Sequence, residues 1–108
     1  MDTSVILDEA IAIDLAPIRA GSIILYPASA LEDVFDWADQ AGRTLEWLEG
    51  AFYDLTTGKG QLSLSYMCER GNNYSAFKEK SLDLAAEIQV EAAEIGMNAY
   101  FEIGISPK

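Results

Sequence analysis

Two stretches of helical periodicity, each closed by a glycine and set between short apolar or alternating runs, constrain the fold of this chain more than any other feature. The first follows Pro27. Ser29-Ala30-Leu31-Glu32 has capping-box spacing, in which the hydroxyl and the carboxylate each satisfy an orphaned backbone donor. Leu31, Val34, Phe35 and Ala38 then recur on one face, and Gly42 supplies the left-handed residue that ends a helix. The second runs from Ser75 to Ile95 and stops at Gly96, with Phe77, Leu84, Ile88 and Ile95 sharing a face.

The segments between them read as strands. Ile23-Ile24-Leu25-Tyr26 is short, apolar and bounded by Gly21 and Pro27, the pattern of a buried strand. Thr44 to Leu55 is rich in Leu, Trp, Phe and Tyr and ends in the turn signal Thr56-Thr57-Gly58-Lys59-Gly60. Beyond the turn, Leu62, Leu64, Tyr66 and Cys68 alternate with polar residues and Met67, so the two arms read as a hairpin, with Gly50 marking a bulge in the first. Ala99, Phe101, Ile103 and Ile105 alternate in a closing strand. The order over residues 22–105 is strand, helix, strand, strand, helix, strand. That order predicts an α+β fold of the ferredoxin-like βαββαβ kind, an antiparallel sheet with both helices on one face. Residues 1–20 form an N-terminal extension that is either an added strand or a short helix on the sheet edge: Ile11, Ile13 and Leu15 alternate, whereas Asp8-Glu9-Ala10 suits a helix start. With no repeat or linker, residues 1–108 read as one domain.

Composition narrows the function. Half of the residues are hydrophobic, including two Trp, five Tyr and four Phe, so the chain has the material for a core. Eighteen Asp and Glu stand against seven Lys and Arg, with no His, for a formal net charge of -11. A charge of magnitude about 2 to 8 suffices to keep a small domain soluble. The excess points to a basic protein or nucleoprotein complex as partner, and it disfavours direct contact with nucleic acid or anionic membranes. The single cysteine, Cys68, excludes an internal disulfide and suits a reducing, cytoplasmic setting; no signal peptide or transmembrane span is read.

The carboxylates are grouped. At 100° per residue, Glu32, Asp36 and Asp39 fall within roughly 60° on the first helix, with Asp33 further round. Glu79, Asp83, Glu87, Glu91 and Glu94 occupy an arc of about 120° on the second, flanked by Lys80. Like charges at i,i+4 each destabilise a helix by a few tenths of a kcal/mol. Charge runs of this kind are commonly just solvated helix faces, but two helices on one side of a sheet would merge these into a shared acidic layer. Carboxylates ~6 Å apart along a helix roughly match the phosphate spacing of a nucleic-acid strand. Trp37, between the apolar and acidic arcs, is either a core residue or an aromatic anchor for a partner. Met67, Tyr100 and either Trp47 or Phe52 are expected on the sheet face away from the helices, which offers a surface for a second copy or a small ligand.

Nothing assembles a catalytic centre. Cys68 has no His base and alternates with core residues, no P-loop, EF-hand or dinucleotide fingerprint occurs, and helix-surface carboxylate pairs lack the oxygen cage of a metal site. The expectation is therefore a non-enzymatic protein with no catalytic residues, metal or cofactor. In its acidity, its lack of catalytic residues and its stripes Glu32-Asp36-Asp39 and Asp83-Glu87-Glu91-Glu94, the chain resembles the small acidic inhibitors made by phages and mobile elements, anti-CRISPR proteins and other DNA mimics among them. The resemblance implies an inhibitor that occupies the positively charged nucleic-acid path of a defence complex. The same charge also suits an immunity protein or antitoxin against a basic toxin, and the fold alone suits a ferredoxin-like regulatory module that dimerises through its open sheet face.

Overall fold

The structure, a computed structural model, describes residues 5–6, 15–20 and 23–106. Its elements in chain order are β1 (Val5–Ile6), β2 (Ile18–Ala20), β3 (Ile23–Pro27), a 3-10 turn (Ala28–Ala30), α1 (Leu31–Gln40), β4 (Leu45–Asp54), β5 (Lys59–Glu69), α2 (Tyr74–Glu94) and β6 (Asn98–Ile105). The strands form one antiparallel sheet in the order β2-β3-β6-β4-β5, and β1 also pairs with β6. Both helices pack on one face of that sheet: Val34, Phe35 and Ala38 of α1 share a core with Phe77, Ala85, Ile88 and Ala92 of α2 and with Leu48, Phe101, Ile103 and Ile105 beneath them.

This is the α+β architecture read from the pattern, with a particular sheet order. β3 and β4 run parallel, joined through α1, and the strand between them is β6 rather than the neighbouring arm β5. The composition of the two strands explains the choice. β6 buries Phe101, Ile103 and Ile105 on the helix side and Tyr100 on the other, which suits a central strand, whereas β5 exposes Leu62, Met67 and a polar row, which suits an edge. A six-element pattern does not by itself establish the ferredoxin-like order.

Local chemistry sets the boundaries. The capping-box expectation at Ser29 is corrected: Ala30 occupies the N-cap of α1 without any side-chain cap, because Ser29 lies inside the 3-10 turn, where the Leu31 N–H already donates to the Ala28 carbonyl. Gly42, at φ 69°, ends the helix as read, with Arg43 N–H donating to the Ala38 carbonyl at 2.8 Å. α2 begins one residue before the expected Ser75, with the Asn73 side chain accepting the Ala76 N–H at 2.9 Å. It closes at Gly96, φ 71°, with Met97 N–H bonded to the Ala92 carbonyl. Its buried stripe is Phe77, Ser81, Ala85, Ile88 and Ala92. Ile95, expected on that face, is the C-cap and 54% exposed, and Leu84 is half-buried at the margin.

The hairpin departs from simple alternation. Glu49 pairs with Met67 and Gly50 with Ser63, so between these pairs β4 has no residue and β5 has Leu64, Ser65 and Tyr66. Gly50 permits this bulge. A Cβ there would lie 2.5 Å from the Tyr66 Cβ and 2.6 Å from the Ile88 Cδ1. The extra residues reverse the parity of β5: Tyr66 and Cys68 face the helices, while Leu62 sits opposite Ala51 on the other face. At the N-terminus β1 and β2 are added strands; residues 7–14 of the predicted extension, including Asp8 to Ile13, lie outside the described residues.

Candidate interaction surface

The helices lie side by side and antiparallel. Phe35 of α1 meets Tyr74 and Phe77 at the start of α2, with ring centroids 6.1 and 5.9 Å apart, and the Lys78 ammonium sits 5.7 Å above the Phe35 ring. At the other end Ser29, just before α1, lines a hollow with Ala92 and Ala93. The burial of Leu31, Val34, Phe35 and Ala38 turns Glu32, Asp33, Asp36 and Asp39 outward, and all four are exposed. Burial of the α2 stripe likewise leaves Glu79, Asp83, Glu87, Glu91 and Glu94 exposed. The structure thus leaves every predicted carboxylate of the two helices exposed. Val90, 61% exposed, stands among those of α2. Trp37 is half-buried and packs against the margin of the helix-side core.

Several of these charges are badly placed for helix stability. Glu32 and Asp33 in the first turn of α1 complement its dipole, but neither helix has a basic residue in its last turn, where Asp39 of α1 and Glu91 and Glu94 of α2 reside. Arg70 pairs with Glu46 at 2.9 Å, off the helices. One stripe residue is anchored by a neighbour that sequence reasoning missed: the Tyr66 hydroxyl donates to the Glu91 carboxylate. That hydrogen bond, then burial and the Glu91, Glu87 and Glu94 charges, pushes the Tyr66 hydroxyl up to about 12. The three-residue bulge brings Tyr66 there, and alternation gave no sign of it. A second tyrosine ties the helix to the sheet, its Tyr74 hydroxyl accepting the Leu45 N–H at 3.0 Å.

The opposite sheet face also carries acid. Register sets Glu49 of β4 directly across from Glu102 of β6, with Met67 on the other side of Glu49 and Trp47 opposite Gly104. Burial first, and then the Glu49 charge, raise the Glu102 carboxyl above its ordinary 4.5. Because its folded value lies above the unfolded one, the native state binds the extra proton between the two values. This contribution to stability is complete below about 4.5 and is lost as pH rises through the raised value. Glu102→Gln is therefore expected to raise the urea midpoint at pH 7, with the advantage over wild type shrinking as pH falls toward 4.5. Equal midpoints across that range would contradict the assignment.

Cys68 is buried in the helix-side core, as expected of a packing residue, and among the described residues no three His, Cys, Asp or Glu come together as a metal site. Nor does any described helix have the length and apolarity to cross a membrane. Comparison with family models, curated proteins and solved structures finds no match to this chain.

Proposed function

We propose that this protein is a non-enzymatic binding protein whose acidic helical layer occupies a basic, nucleic-acid-binding surface of a partner, in the manner of anti-CRISPR and other DNA-mimic inhibitors. The observation that carries the reading is the arrangement of nine exposed carboxylates, Glu32, Asp33, Asp36, Asp39, Glu79, Asp83, Glu87, Glu91 and Glu94, on two adjacent antiparallel helices without a compensating last-turn cation. Repulsion along Asp83-Glu87-Glu91 and the unfavourable helix-end charges weaken the free protein, and a basic partner reverses the sign of both effects. Val90, apolar and exposed within the acidic field, offers a small dry contact at its centre.

The test is competition. A basic partner captured by the immobilised protein should release a bound labelled duplex when the acidic protein is added. Its association rate should fall steeply between about 0.05 and 0.3 M salt, since screening shortens the reach of exposed charges to ~8 Å at physiological ionic strength. Simultaneous binding of duplex and acidic protein, or association indifferent to salt, would contradict the reading.

A further inference from the structure

The sheet face away from the helices holds an arrangement that the helical layer does not explain. Trp47, Gly104, Glu49 and Glu102 form the four corners of one cross-strand square. At the Gly104 corner a Cβ would collide with Nε1, Cε2 and Cδ1 of the Trp47 indole, so the indole covers that corner and stands beside Glu102. Glu102 is only 9% exposed, and among the described residues no hydrogen bond or ion pair holds its carboxylate. Among the described residues no fully buried side-chain oxygen lacks a hydrogen-bond partner, so the Glu102 carboxylate keeps some contact with solvent. Two residues along β4, about 7 Å away, Ala51 begins an open hollow of about 430 Å³, lined by Ile23, Leu25, Tyr53 and Leu62 among others.

We propose that this face binds an organic amine, its ammonium held between Glu49 and Glu102 beside the Trp47 ring and its apolar body lying in the hollow between Leu25, Tyr53 and Leu62. Two like charges directly opposite one another destabilise a sheet, and one cation between them turns the repulsion into two attractions. An ammonium has three donors and needs no further protein ligand, and an indole face adds a cation–π contribution. A hard metal ion demands six or more oxygens, which two carboxylates beside an apolar hollow do not provide. The volume lies in the range of small-molecule sites. The site is on the face opposite the acidic helices and does not depend on their function.

The test uses 2-phenylethylammonium as probe, with neutral 2-phenylethanol as its control, in amide NMR titrations of the full chain at low salt. The amine should shift the amides of Glu49, Ala51, Leu62 and Glu102 along one saturable curve, and the alcohol should bind at least about tenfold more weakly. Glu102→Gln and Glu49→Gln, which keep side-chain shape and remove the repulsion, should each weaken the amine by about tenfold. Asp83→Ala with Glu87→Ala should leave it unchanged. No saturable binding, equal affinity for amine and alcohol, shifts confined to α1 and α2, or both glutamine variants binding like wild type would each overturn the proposal.

Discussion

Replacing Phe101 with alanine is expected to lower the free energy of unfolding by about 3 to 5 kcal/mol, the upper range for a core truncation. Phe101 is fully buried in β6, which pairs with β1, β3 and β4. Its register partners are Tyr26 on one side and Gly50 on the other. The second partner makes the loss large. Gly50 has no side chain with which to fill a void, and the space above it is already taken by Tyr66 and Ile88, so the cavity left by the ring collapses poorly. Against a total of about 5 to 15 kcal/mol for a domain of ordinary stability, the variant should be close to unfolding at 37 °C. Urea titrations should show a lower midpoint at unchanged slope. A loss below about 1 kcal/mol would mean that β6 is not the centre of the core.

The helices and most strands were legible because their signals are local. Gly42 and Gly96 mark both helix ends, and the apolar arc of Leu31, Val34, Phe35 and Ala38 predicts which carboxylates of α1 turn outward. The face assignment of Tyr66 and Phe101 against Met67 and Tyr100 also follows from period two close to the strand ends, and Trp47 rather than Phe52 joins the latter pair. What was not legible depends on pairing between distant segments. By counting Leu62 and Cys68 share a face, but the three bulged residues separate them, and nothing in the alternation reveals a bulge of that size. The Glu49–Glu102 pair arises only when β4 and β6 are known to be neighbours. A charged residue in the middle of a strand otherwise apolar on both faces is the available signal, and by alternation alone Glu102 reads as its polar half. Ser29 shows a different limit: a capping sequence is overridden when the preceding residues already form a helical turn.

The proposed function stands or falls with the carboxylates of α1 and α2. Changing Asp36 and Asp39 to alanine, or Asp83 and Glu87, removes exposed groups, so both variants should fold, with Asp83 and Glu87 relieved of their i,i+4 repulsion. Changing Asp2 and Asp8 alters the net charge by the same amount elsewhere in the chain. Surface-plasmon resonance against the captured basic partner at about 0.15 M salt, where exposed charges act over ~8 Å, compares the three directly. Each helix-face pair should weaken the complex several-fold or more, chiefly through slower association, and the Asp2 and Asp8 variant should bind nearly as wild type does. If both helix-face variants bind like wild type, the acidic layer is only a solvated surface and the account of what this protein does is wrong.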